Sequence, residues 1–254
     1  MSLSVVTVGR YHQVSYYRSM NMTSKDNIIR GINQAMSAEI DSIIYDKPPS
    51  DKNSKVLQKK PNLLTVDWEN VLPEPPKNSS DITRRELELI SEMTKELSEE
   101  EYTLVTEVDK DPNNVFMGLL KRYGLQFPKE KFDEFFFSQV DPVVTNLKYK
   151  FKRARPFQLA EKYGIDIKVT ETETHHTPAY PSGHTAYAAF AGSMLATLYP
   201  QHTSEFYELI NLVGRARILQ GVHYPSDNDA SMVIASVLYE DLKYEIFPDM
   251  KIRG

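Results

Sequence analysis

The chain has 254 residues, and 41% hydrophobic with 11% aromatic side chains is enough for the packed core of one large domain, or of one domain with an added N-terminal segment. A formal net charge of −5, with 35 acidic against 30 basic residues, excludes a broad electrostatic attraction to nucleic acid or to an anionic membrane, so any anion site must be local. The absence of cysteine excludes disulfides, thiolate chemistry and Cys-ligated metals.

Met1 to Arg10 lacks a basic start followed by an apolar stretch of signal-peptide length, and polar Tyr11, His12 and Gln13 follow at once. The expected location is therefore cytoplasmic or otherwise intracellular. Asn27 to Ile44 reads as an amphipathic helix, with Ile28, Ile32, Ala35, Ile40, Ile43 and Ile44 at mostly helical spacings. From Asp46 to Ser80 the chain holds Pro48, Pro49, Pro61, Pro73, Pro75 and Pro76, which predicts an extended connection laid over the surface.

Beyond it the pattern is helical. Asp81 can cap a helix through Leu87, Ile90, Met93 and Leu97, and further helices are expected over Glu100–Val108, Phe116–Tyr123, Phe132–Lys152, Ala186–Tyr199, Glu205–Leu219 and Ala230–Glu245. Alternating polar and apolar runs are missing, so the fold class is all-α, a helical bundle. The most apolar stretch, Ala186–Tyr199, would reach only ~21 Å as a helix, short of the roughly 30 Å of a bilayer core, and reads as a buried helix and not a membrane span.

Three short patterns carry chemistry. The first is Lys148, six residues, then Arg155-Pro156. If the segment is helical up to Pro156, the two cations share one face, ~10 Å apart along the axis. A solvated basic stretch through Lys150, Lys152 and Arg153 explains the same residues equally simply. The second is Pro181-Ser182-Gly183-His184, just before the apolar helix: Ser182 can cap it, Gly183 lets a ligand approach the backbone, and a helix start favours an anion. An ordinary turn would have the same composition.

The third pattern is Arg217, five residues, His223, three residues, Asp227. Asp227 can take a proton from one imidazole nitrogen and leave the other free to attack, while Arg217 offers a guanidinium fork. A structural His-Asp hydrogen bond is the plainer alternative, and Asp229 could serve in it as well.

In this order the three patterns resemble the type 2 phosphatidic acid phosphatase superfamily, whose members include soluble class A bacterial acid phosphatases, membrane lipid phosphatases and vanadium-dependent haloperoxidases. Ala179-Tyr180-Pro181-Ser182-Gly183-His184-Thr185, Gly221-Val222-His223-Tyr224-Pro225-Ser226-Asp227 and the proline-rich Val71–Pro76 are most similar to the soluble non-specific acid phosphatases. The resemblance covers roughly residues 62 to 245. It implies an N-terminal extension over 1–60 and a helical phosphatase domain over 61–254, of the acid phosphatase/vanadium haloperoxidase type.

By that resemblance, Lys148, Arg155 and Arg217 form a cationic cradle completed by Ser182 and the Gly183 N–H. His184 protonates the leaving oxygen, His223 attacks to form a phosphohistidine, and Asp227 orients it. The implied enzyme is a metal-independent phosphomonoester hydrolase with no cofactor, to which vanadate binds as a phosphate mimic. Its partner is a phosphorylated small molecule rather than nucleic acid, and it has no membrane span. A homo-oligomer is compatible with the sequence.

Because His184 must be protonated and His223 neutral, opposite pKa shifts and a bell-shaped profile with an optimum below neutrality are expected. The family usually has Ser before the arginine of the third motif; here it is Ala216, which predicts lowered rate or affinity. His175 and His176 read as part of a solvated loop from Glu171 to Thr177, and His12 and His202 receive no role. The competing readings are a vanadate-dependent haloperoxidase and a phosphate-binding protein with little turnover.

Overall fold

The computed structural model describes residues 24–171 and 174–252. The expectations for Met1–Arg10 and His12 lie outside them. The chain divides into two compact units, residues 1–42 and 43–254. Of the first, the described part is helix α1, Ser24–Asp41, in which no side chain is buried and Ile28, Ile29, Ile32 and Met36 are exposed.

The second unit is built from helices, and among its described residues the only β-pairing is an isolated bridge between Ile44 and Arg153. Its helices are α2 (Asp51–Leu57), α3 (Asp81–Thr94), α4 (Glu99–Lys110), α5 (Asn114–Tyr123), α6 (Lys129–Phe135), α7 (Asp141–Phe151), α8 (Pro156–Ala160), α9 (Gly183–Leu198), α10 (Thr203–Leu219) and α11 (Pro225–Ile246). The all-α expectation holds. No helix of the described residues is long and apolar enough to cross a membrane.

Helix α9 is the axis of the core and packs most extensively on α10 and α11. It is apolar nearly all round, burying Ala186, Ala188, Ala189, Phe190, Ala191, Met194 and Leu195, as a helix enclosed by neighbours requires. Its small residues allow close approach: a Cβ at Gly192 would lie 2.5 Å from Ile210 Cδ1 on α10. Polar groups fix the register near the N-terminus of α9. Thr185 Oγ1 donates to Asn228 Oδ1 of α11 (2.8 Å), and Asn228 Nδ2 donates to the Gly214 carbonyl of α10 (2.9 Å).

Three sequence expectations change. The segment Phe132–Lys152 is not one helix: Phe136–Val140 widens into a π-type turn, with Asp141 N–H bonding to the Phe136 carbonyl, before α7 begins. Pro142, at the start of α7, has no N–H to continue the α-helical ladder. Helix α7 then stops at Phe151, where Lys152 takes a left-handed conformation (φ 50°), so Lys148 and Arg155 do not share a helix face. Lastly, the proline-rich stretch contains α2, because Ser50 caps a proline-free run by accepting the Asn53 N–H.

Helix starts are otherwise chemically explicit. Ser80, rather than Asp81, caps α3 by accepting the Thr83 N–H, and Ser98 with Glu101 forms a reciprocal capping box on α4. Pro225 opens α11 at a position whose N–H would be unpaired in any residue, which starts that helix earlier than the apolar pattern suggests.

Candidate active site

The C-terminal end of α7, the turn before α8, the N-terminus of α9 and the turn between α10 and α11 meet at one place. Ser182 caps α9 through Oγ, and its N–H donates to the Asp227 carbonyl (3.2 Å). Ser231 Oγ closes the junction by bonding the Ser182 carbonyl (2.8 Å). The second and third sequence motifs are thereby held against each other.

His223 is buried in the α10–α11 turn, and its Nδ1 lies 3.0 Å from Asp227 Oδ2. The same oxygen accepts the Tyr224 N–H at 3.0 Å, which locks the carboxylate in the first turn of α11, where the helix dipole also favours it. With Nδ1–H donating to Asp227, Nε2 carries the free lone pair, and it faces Arg155 at 2.9 Å. Burial first, then the charges of Arg155, Lys148 and Arg217, push the His223 pKa well below the ordinary histidine value. The ring is neutral at physiological pH.

Arg155, 1% exposed, is held by the carbonyls of Thr177 (2.8 Å) and Val222 (2.7 Å) and by Thr177 Oγ1. Lys148, 6% exposed, donates to the Pro178 carbonyl (2.8 Å), and its Cε packs beside Gly183, 3.7 Å from where a Cβ would stand. Neither cation has an ion-pair partner among the described residues. Burial depresses both, Lys148 well below its usual value with the Arg155 charge as second cause, and Arg155 to about 10 with Arg217 as second cause.

Arg217 is paired with Asp109 Oδ1 (2.7 Å) and donates to Thr174 Oγ1 (3.1 Å), while its buried Nε has no partner among the described residues. The Asp109 backbone also serves: its carbonyl lies 3.3 Å from His184 Nε2. His184 is pushed down to about 3 by burial and by the Arg217 charge. The expected opposite shifts of the two imidazoles are thus not found; both move down, because both are buried and, second, stand among cations.

Lys148, Arg155, Gly183, His184 and His223 line one cavity of about 980 Å³. Ser182, Arg217 and Asp227 lie behind its wall, fully buried, with Ser182 Oγ engaged at the start of α9.

Sequence reasoning missed several residues. Arg153, read as part of a solvated basic stretch, is 4% exposed and bridges Asp227 Oδ1 (2.6 Å) and Glu86 Oε2 (3.2 Å), its guanidinium 3.8 Å from the Tyr224 ring centre. Glu86 in turn accepts the Ser226 N–H (2.6 Å), and burial raises its pKa despite Arg153. The signal was the extended stretch imposed before Pro156, in which residues two apart share a side: Arg153 and Arg155 both reach the third motif. Asp109 gave no such signal. His175, expected in a solvated loop, is buried, its ring 6.0 Å from that of Phe157. Asp229 is exposed, and Asp227 alone serves His223.

One cavity thus brings buried cations beside an imidazole paired with a carboxylate. Residues 137–239 match the model described as the PAP2 superfamily. Over 98 residues the chain is 30% identical to a non-specific acid phosphatase of Providencia stuartii, covering 38% of each protein. Over 100 residues it is 29% identical to a non-specific acid phosphatase of Salmonella typhimurium, covering 39% of this chain and 40% of that one. The chain therefore spans about two fifths of these relatives. A crystal structure of a transmembrane PAP2-type phosphatidylglycerolphosphate phosphatase from Bacillus subtilis superposes with a TM-score of 0.44 at 18% identity, over 68% of this chain and 89% of that one.

Proposed function

We propose that the protein is a phosphomonoester hydrolase of the acid phosphatase kind, acting without a metal or cofactor through a phosphohistidine on His223. The observation that carries this reading is a neutral, Asp227-oriented imidazole whose Nε2 lies beside Arg155, in a cavity where two buried cations lack carboxylate partners. A phosphoryl group supplies the missing negative charge.

In the first step Nε2 of His223 forms a bond to phosphorus as the bond to the ester oxygen breaks, and His184 gives that oxygen a proton. In the second, water attacks the phosphohistidine, returns a proton to His184 and releases phosphate. Lys148 and Arg155, with the Gly183 N–H, stabilise the charge on the equatorial oxygens, and Arg217 and Ser182 support them from behind the cavity wall. Asp227 and Arg153 hold His223 in its tautomer.

A depressed His184 carries no proton in the free protein near neutrality. The phosphoester monoanion, whose second pKa is about 6, brings the proton with it, and its charge raises the imidazole once it is seated. Vanadate occupies the same cradle.

The test is phosphate release from a generic aryl phosphate by wild type, His223→Ala and His184→Ala, with and without chelator and vanadate. The proposal expects turnover by wild type alone, insensitivity to chelator and competitive inhibition by vanadate. Wild type without turnover supports a phosphate-binding protein, loss with chelator overturns the metal-free route, and bromide oxidation with added vanadate supports the haloperoxidase reading.

A further inference from the structure

The cavity extends well past the phosphate cradle. Its outer wall is formed by residues before 60, outside the stretch that resembles acid phosphatases. That segment is fastened across the mouth at both ends: Tyr45 N–H donates to the Lys152 carbonyl (2.9 Å), and Gln139 Oε1 accepts the N–H groups of Asn62 and Leu63 (3.0 Å each). Between these anchors Val56 is buried, and α2 presents Lys52 and Lys55 to the cavity, with Lys59 just beyond it. Lys59 Nζ donates to the Phe137 carbonyl (3.1 Å).

The charges on this wall are lopsided. Lys52, Lys55 and Lys59 face a single carboxylate lining the cavity, Asp141, which burial raises and Lys59 and Lys52 oppose. Lys52 and Lys55 are exposed and have no ion-pair partner among the described residues. Phe136, Phe137, Val144 and Tyr187 form an apolar wall of the same cavity, along which a spacer can lie. In a chain of net charge −5, a second cationic cluster facing the same cavity as the cradle is a local feature.

We propose that the substrate is a phosphomonoester whose leaving group carries a second anionic group, held by Lys52 and Lys55 while the scissile phosphoryl group sits on Lys148 and Arg155. The inference rests on the phosphatase reading for its reaction, but not for its binding. The second anion is a phosphate or a carboxylate, since exposed ammonium groups accept either.

The experiment compares alkyl monophosphates with α,ω-alkanediol bisphosphates and ω-carboxyalkyl phosphates of increasing chain length. Each pair shares its leaving-group chemistry, so only the distal anion differs. At low ionic strength wild type should favour a distal anion in kcat/KM by roughly five- to tenfold at the matching length, as two exposed ion pairs allow. That preference should disappear in Lys52→Gln/Lys55→Gln, invert in Lys52→Glu/Lys55→Glu, and fade in high salt. Whether the bisphosphate or the carboxylate is favoured more identifies the second anion. No preference in wild type, or a preference unchanged in the variants, overturns the proposal. If wild type turns over neither substrate, the hydrolase reading fails separately, and calorimetric binding of the same pairs to wild type and variants still decides the role of the lysines.

Discussion

Asp227 does three things with two oxygens: it orients His223, ties down the start of α11 and takes the charge of Arg153. Replacing Arg153 with Met leaves Asp227 and Glu86 facing each other in a buried site, and should destabilise the fold by about 3–5 kcal/mol in urea denaturation. Asp227→Asn, which keeps the shape, should lower kcat by about 10²–10⁴ with a smaller change in KM. The pH profile follows from the histidines. His223 loses its lone pair only well below the ordinary histidine range, so the acid limb of kcat/KM lies at low pH, and the basic limb falls near about pH 6 as the substrate monoanion is lost. Activity that climbs steadily past pH 9 contradicts this. Ala216 bears on the same scale: it is buried in the apolar core, and Arg217 is fixed by Asp109 and Thr174 without the hydroxyl common in the family. That Lys148, Arg155, Gly183, His184 and His223 come together at one cavity was legible because three motifs occur in order. Asp109 and Glu86 were not, because a lone carboxylate in a charged helix looks the same whether it faces solvent or a buried arginine.

At the scale of elements, the apolar run of α9 and the Ser182 cap were readable to within a few residues, since a helix enclosed on all sides needs an unbroken apolar sequence. The break between α6 and α7 was harder, because Phe132–Lys152 keeps helical periodicity through Pro142 and only the backbone hydrogen bonds reveal the widened turn. Helix α2 was hidden by the prolines on both sides of it. The approach of α9 to α10 depends on Gly192, where a methyl group would meet Ile210 Cδ1 at 2.5 Å and Cγ1 at 2.9 Å. Gly192→Ala should cost about 1–3 kcal/mol in denaturant midpoint experiments. Adding Ile210→Val, which removes the nearer atom, should recover part of the loss; no recovery would place the strain elsewhere.

Across the whole molecule, several ionisable groups are held in the folded state against their solution preference, and this links stability to pH and to anions. As pH falls below 6.5 the unfolded chain protonates His184 and His223, while folded His184 resists down to about 3. The unfolded state then binds more protons, so stability falls with acidification by up to about 1.4 kcal/mol per pH unit for each histidine. Vanadate or phosphate, by neutralising the cradle, should raise the thermal midpoint, with about 2.7 kcal/mol gained at a hundredfold excess over Kd. The gain should be larger at pH 5 than at pH 8, because the bound anion also raises the imidazoles. The proposed chemistry turns on one atom, the Nε2 of His223. The most direct test is mass spectrometry of the protein quenched in alkali during turnover of an aryl phosphate, conditions under which phosphohistidine survives. The account predicts a phosphoryl group on His223, absent from His223→Ala. Sustained turnover with no phosphoryl group on the protein, or with that group on another residue, would contradict it.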